Sequence, residues 1–366
     1  MDYEHQKMLT CIGNKRSLVK NIEEIVEKDI LTKLKKDKIN ILDGFAGSSV
    51  VSRSLSKYAS TIYSNDLELY SSTMAQCFLI KPSEKDKEII YKHIDEMNKL
   101  ANNGPFVEGI ISEMYSPKDT ENIKEDERCF YTRENALIID TLRKYIEDKV
   151  PKKLFQYCIT PLLIKASIHT NTGGVFKGFY KDKLTKKGKF GGTAENNLDR
   201  IKAKIKLEYP VWSDHPFKAY VYNQDINELI KELPKNLDLI YYDPPYNEHP
   251  YSSNYFMLNI ILKNEKPETV SKISGIPKDW NRSNYNYEKK AIEAMTELIK
   301  ESMNKTTYIL LSYNNEGIIS KEKWDGIFSN YKVEKYEITY GTYKASRNLK
   351  QRSNKVIEIM YLISKN

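Results

Sequence analysis

No stretch of about 18 consecutive apolar residues occurs in the 366-residue chain, so no membrane-spanning helix and no membrane partner is expected. The opening segment MDYEHQKMLTCIGNKR lacks the charged-then-apolar build of a signal peptide. Cysteine is scarce, and Cys11, Cys77, Cys129 and Cys158 are scattered without C-x-x-C spacing. That argues against both a disulfide framework and a zinc ribbon. Histidine is equally sparse, and His169 and His249 lack partners at metal-ligand spacing, so no metal is expected. No G-x-G-x-x-G occurs, which speaks against a dinucleotide pyrophosphate on a helix N-terminus. Internal repeats and low-complexity tracts are absent as well. A soluble, cytoplasmic protein is the expectation.

What is present is enough apolar and aromatic material, 40% and 11%, to build the core of one large or two modest domains. The formal charge is +8, from 58 Lys and Arg against 50 Asp and Glu. Its distribution is uneven. Between Lys177 and Lys206 stand ten basic residues and three acidic ones (Asp182, Glu195 and Asp199), so 10 − 3 = +7 lies in one segment. Phe176, Phe179, Tyr180 and Phe190 border or punctuate it. Either this is a solvated lysine-rich face, or it is a nucleic-acid groove whose cations neutralise phosphates while the aromatics stack or pack.

Periodicity divides the chain. Lys38 to Asp43 reads as a buried strand, Gly44 to Ser49 as a turn, Val50 to Tyr58 as a helix, and Thr61 to Asn65 as a second strand ending at Asp66: a βαβ unit. From about residue 82 the alternation stops. Glu84 to Ala101 reads as an amphipathic helix, Asn102 to Asp126 as loop, Thr132 as the N-cap of a helix through Ile146, and Lys153 to Ile168 as a buried helix. Alternation returns at Lys218. Strands are expected at Ala219 to Tyr222, Leu237 to Tyr242 and Thr307 to Tyr313, with a closing pair at Val333 to Tyr340 and Val356 to Ile363. Helices are expected at Ile226 to Glu232, Tyr255 to Leu262, Glu288 to Met303 and Lys321 to Ser329. The expected fold is α/β, a mostly parallel sheet covered on both faces. Residues 1–81 and 217–366 form one domain, with 82–216 as an inserted, mostly helical one.

The strongest chemical signal is Asp243-Pro244-Pro245-Tyr246 after the apolar strand LDLIYY. Two prolines fix φ and remove two donors, leaving a stiff turn with free carbonyls. Asp243 then stands at the carboxyl end of a central strand, where open α/β sheets bind ligands. A carboxylate and a rigid carbonyl are two acceptors for one amino group, and Tyr246 offers a flat surface for a base. An ordinary structural turn is the alternative.

This tetrapeptide resembles the catalytic motif of amino-group DNA methyltransferases, and its Asp is similar to that of the N6-adenine enzymes. Asp43-Gly44-Phe45-Ala46-Gly47-Ser48 resembles their D-x-F-x-G-x-G cofactor turn, with Ser49 where a last glycine is usual. Gly13-Asn14-Lys15-Arg16 resembles their N-terminal cofactor motif. The motif order, with the insertion ahead of the catalytic turn, looks like the alpha arrangement, in which the insertion recognises the target. Thr132 to Ala136, Asn171 to Phe176, Asn254-Tyr255 and Leu311 to Gly317 look like segments of a type II modification-enzyme subgroup, the D12 class.

The resemblance implies a class I methyltransferase sheet binding S-adenosylmethionine through Cys11, Gly13, Lys15, Asp43, Phe45, Gly47, Asp66 and Asp225. Catalysis falls to Asp243, Pro244, Pro245 and Tyr246. Asp66, at the end of the second strand, would take the ribose hydroxyls and Asp225 the adenine amino group, although strand-end acids also cap helices. Lys15 is either near the cofactor carboxylate or surface charge; Tyr251 and Tyr255 either line a target pocket or belong to helix core. The expected reaction is methyl transfer to N6 of an adenine flipped out of double-stranded DNA. The insertion, aided by the polar loop Asn264 to Asn286, would recognise the site. A monomer paired functionally with a separate restriction endonuclease in a prokaryotic cytoplasm completes the expectation.

Overall fold

In the computed structural model, residues 3, 9, 13–192, 197–341 and 355–366 are described, the side chains of 340, 341, 355 and 356 excepted. Cys11 and Glu195 lie outside the described residues.

Seven strands form one sheet: β1 Ile39–Asp43, β2 Ala59–Asn65, β3 Lys218–Tyr222, β4 Leu237–Tyr242, β5 Thr306–Asn314, β6 Tyr331–Gly341 and β7 Lys355–Lys365. Their order is β3-β2-β1-β4-β5-β7-β6. The first five run parallel, and β7 pairs antiparallel with both β5 and β6. Chain order runs outward in opposite directions from the β1–β4 pair. That pair is therefore the topological switch point, and the carboxyl ends of its strands carry Asp43 and, one residue on, Asp243.

The helices are α1 Val19–Ile25, α2 Thr32–Leu34, α3 Val50–Leu55, α4 Leu69–Leu79, α5 Glu84–Asn103, α6 Ile110–Met114 and α7 Arg133–Lys149. They continue as α8 Phe155–Ile168, α9 Leu198–Lys202, α10 Ile226–Glu232, α11 Tyr251–Asn254, α12 Phe256–Lys263, α13 Glu288–Met303 and α14 Lys321–Ile327. Period-2 alternation sends successive strand side chains to opposite layers. Leu239 and Tyr241 of β4 pack with Ile22, Val51, Leu55, Ala75 and Leu79 from α1, α3 and α4. Ile240 and Tyr242 pack with Leu229, Met295, Leu298 and Trp324 from α10, α13 and α14. Helices thus cover both faces.

Most expected elements lie within two or three residues of their observed limits. Thr132 caps α7 as expected, its Oγ1 accepting from Asn135 N at 3.2 Å. Six of these helices, α1, α2, α4, α6, α9 and α11, were not expected, and two of them show why. The segment read as loop from Asn102 to Asp126 contains α6, whose first amides are held from outside: Ile111 N and Ser112 N donate to the two oxygens of Asp140 on α7, at 3.0 and 2.7 Å. Helix α4 had no sequence counterpart; nine of its eleven residues are buried, so it carries no polar face for periodicity to reveal.

A third core joins Ile90, Ile94, Ile139, Leu142, Leu162 and Trp212 of segment 82–216 to Met74 and Phe78 of α4 and to Phe256, Met257 and Ile260 of α12. One apolar cluster therefore ties this segment to both of its sequence flanks. Phe176 and Phe179, the aromatics beside the basic run, are buried in it. They pack.

Candidate active site

The turn after β1 is shaped by what lies beneath it. A Cβ on Gly44 would meet the Tyr242 ring at 2.4 Å, so only glycine lets this backbone rest on the last aromatic of β4. Phe45 then sits edge-on to Tyr242 and Tyr285, with centroids 5.8 and 5.1 Å away. Gly47 has φ +52° and donates its N–H to Asp66 Oδ2 at 2.7 Å, while Asp66 Oδ1 accepts from Glu68 N at 2.8 Å. Asp66 thereby pins the cofactor-like turn to the end of β2. Ser49, where glycine is usual, takes the same left-handed backbone a glycine would, with φ +60° and ψ 18°, and starts α3.

Asp43 and Asp243 face an open cleft that encloses about 870 Å³ of empty space, solvent at its mouth included. Gly13, Lys15, Asp43, Phe45, Gly47, Asp66, Asp243 and Pro245 line it, together with Glu68, Ser71, Tyr241, Tyr251, Asn281, Ser283 and Asn286. Seven residues expected from three separate motifs, and Asp66 from the end of β2, thus line one cleft. Tyr246 is half-buried beside them, its ring 3.3 Å from where a Gly13 Cβ would stand. Pro244 is buried and not among the lining residues. Asp225 is also outside the lining: its carboxylate caps α10, accepting from Asn227 N at 2.8 Å. It approaches the cleft through Asn227, whose Oδ1 accepts from Tyr285 OH at 2.5 Å behind Phe45.

Lys15 is no surface charge. It is 4% exposed, and its Nζ lies 2.7 Å from Asp243 Oδ1, 3.2 Å from Glu358 Oε1 and 3.1 Å from Gly13 O. Burial works against its charge, but Asp243 and then Glu358 overcome it, and the ammonium is held well above the usual lysine range. Tyr255 is core, 1% exposed, and stacks on the cleft-lining Tyr251.

The carboxylates share one electrostatic situation. Burial pushes Asp43 up to about 7, although Ser52 Oγ donates to its Oδ2 at 2.6 Å. Burial also pushes Asp66 up to about 6 and Glu68 to about 7, the latter helped by the charge of Asp66. Asp243 is raised as well, by burial first, with Lys15 opposing and Glu358 adding to the rise. Among the described residues, Asp43 Oδ1 and Ser71 Oγ are buried with no hydrogen-bond partner. A cleft with four acids, one lysine and orphaned acceptors fits a ligand bearing positive groups and donors. S-adenosylmethionine, with its sulfonium, ammonium and hydroxyls, is such a ligand.

Glu358, Ser312 and Glu68 were not among the expected site residues, and Asn281, Ser283 and Asn286 fall in the polar loop Asn264 to Asn286, which was expected to aid DNA recognition and not to line this cleft. Glu358 had a signal: it is the one acid in the apolar run VIEIMYLI. Within that loop nothing marked Asn281, Ser283 and Asn286 for the cleft, because Asn and Ser are common in any polar loop.

A family model described as D12 class N6 adenine-specific DNA methyltransferase matches residues 12–327. Among curated proteins, Modification methylase StsI of Streptococcus sanguinis is 28% identical over 97% of this chain and 51% of its own length. Type II methyltransferase M.FokI of Planomicrobium okeanokoites is 27% identical over 97% of this chain and 52% of its own length. The chain thus spans about half the length of these two relatives. Type II methyltransferase M.NlaIII of Neisseria lactamica is 26% identical, over 88% of this chain and 90% of its own length.

Proposed function

The chain belongs to the D12 class of N6 adenine-specific DNA methyltransferases, and we propose that it methylates adenine N6 at a specific site in double-stranded DNA, as the modification enzyme of a prokaryotic restriction-modification system. The observation that carries this reading is the convergence of Lys15, Asp43, Asp66 and Asp243 on one cleft at the β1–β4 switch point.

When bound, S-adenosylmethionine supplies a methyl group on an electrophilic sulfonium. Asp43, Asp66 and Glu68 hold its donor and cationic groups, and Phe45 packs against its apolar part. Asp225 remains our choice for the adenine of the cofactor, at the Tyr285 side of Phe45. Cys11 and Gly13 belong to the same binding segment.

The amino nitrogen of adenine is a poor nucleophile because its lone pair is delocalised into the ring. Asp243 and the Pro244 carbonyl accept its two hydrogens, favouring a pyramidal nitrogen with a localised lone pair. That is orientation and electrostatics. Pro245 keeps the turn stiff, and Tyr246 stacks on a base extruded at a cost of a few kcal/mol in lost DNA stacking. The methyl's bond to sulfur would break as its bond to nitrogen forms, leaving a neutral thioether, and the surplus amino proton leaves through Asp243 or solvent. Segment 82–216 recognises the DNA, and a separate endonuclease cutting the same site is the expected functional partner. The enzyme acts as a monomer in the cytoplasm.

Asp243 must be ionised to accept. Burial raises its carboxyl above the usual aspartate range, so activity should fall on acidification at a higher pH than an ordinary aspartate would impose. The test is transfer of label from S-adenosylmethionine to duplex DNA or RNA across pH, with Asp243→Ala as control. Label in DNA that vanishes in the variant supports the reading; label confined to RNA, or surviving in Asp243→Ala, refutes it.

A further inference from the structure

Glu358 is a buried carboxylate with no part in the reaction as derived so far. It projects from β7, the antiparallel strand beside β5, and is 1% exposed. Ser312 Oγ of β5 donates to its Oε1 at 2.5 Å, and that same oxygen lies 3.2 Å from Lys15 Nζ. Lys15 therefore stands between two acids, nearer to Asp243 at 2.7 Å. A lysine with Asp243 as its only counter-ion would form a closed, neutral pair. Such a pair leaves the carboxylate bound to an ammonium when it must accept from an adenine amino group.

Resting on the reading of Asp243 as the acceptor for the substrate amino group, we propose that Glu358 is a positioning residue: an alternative counter-ion, aimed by Ser312, that takes the charge of Lys15 when Asp243 turns to the substrate. The three side chains carry two negative charges and one positive charge. Lys15 can shift its weight from one acid to the other without an unpaired buried cation appearing. Lys15, Glu358, Tyr241, Asp43 and Asp66 are the titratable groups around Asp243, from the N-terminal segment, β7, β4, and the ends of β1 and β2. Of these, Glu358 is the acid paired to the same lysine.

The isosteric Glu358→Gln removes only the charge. It should lower kcat about tenfold, by leaving Lys15 locked on Asp243, and change KM for either substrate less than about twofold. It should also move the acid limb of the kcat profile down by about half a pH unit or more, because a neighbouring negative charge no longer disfavours ionisation of Asp243. Ser312→Ala, which leaves the carboxylate unaimed, should shift both in the same direction by less. A readout independent of turnover is the titration of the Asp243 carboxyl followed by carbon-13 NMR in the cofactor-free protein, assigned with Asp243→Asn. Its midpoint should fall in Glu358→Gln. A midpoint and acid limb unmoved in both variants overturn the proposal, even if stability falls. If the wild type transfers no methyl group while the NMR midpoint still moves, the ion-pair arrangement stands and the methyltransferase reading fails instead.

Discussion

Ser49 holds φ +60° at the start of α3, in a turn where a glycine would be unstrained. Its side-chain oxygen is buried and has no partner among the described residues. A left-handed non-glycine residue costs roughly 1–2 kcal/mol, so Ser49→Gly should stabilise the protein by about 1 kcal/mol once the greater flexibility of unfolded glycine is subtracted. The denaturation midpoint should rise while kcat is unchanged; a fall in stability would show that the serine packs better than its backbone suffers. The residue scale was also where the sequence was most legible and most incomplete. Asp43 ends β1, and Asp66 and Asp243 directly follow β2 and β4, so strand ends and side-chain chemistry were readable together. Lys15 could be read as surface charge or as site because nothing local records burial; only Asp243, 228 positions away, decides it. Glu358 was visible as a lone acid in an apolar strand, but its partner was not.

At the scale of elements, legibility followed the locality of the stabilising contacts. Helix α7 was readable because its cap, Thr132, adjoins it, and β4 because six consecutive buried residues precede a proline turn. Helix α6 was not, since Asp140 caps it from another helix, 28 and 29 residues further along. Asp140→Ala should strand two buried amides and destabilise the fold by about 2 kcal/mol, seen as a lower urea midpoint. Protection of the Ile111 and Ser112 amides against hydrogen exchange should fall more than that of β1. Equal loss in both would mean that α6 is held by its apolar face alone.

For the whole molecule, the charge distribution acquires a shape. Lys202 and Lys204, near the end of the basic run, are paired with Glu121 and Glu134 at 3.2 and 3.1 Å. Lys183, Lys186 and Lys187 instead stand exposed on a hairpin closed by the Lys181–Gly188 bridge, with Leu184 at its tip 92% exposed. Among the described residues these three lysines make no ion pair, and the hairpin is where phosphate contacts are expected. Neutralising Lys186, Lys187 and Lys189 should weaken DNA binding and reduce the slope of log K against log salt by about 2–3, close to one for each phosphate that a lysine no longer neutralises. A slope equal to the wild type's would remove the hairpin from the interface. Composition placed a positive charge in the insertion but left its use open; the structure shows that Lys202 and Lys204 are committed to internal pairs.

The central claim is that this cleft transfers a methyl group to one nitrogen of one base. Incubating duplex DNA with the protein and S-adenosylmethionine, digesting it to nucleosides and identifying the methylated product by mass spectrometry tests it most directly. The expected product is N6-methyldeoxyadenosine, formed by the wild type and absent with Asp243→Ala. A methylated cytosine, or no methylated nucleoside at all above pH 7, would contradict it.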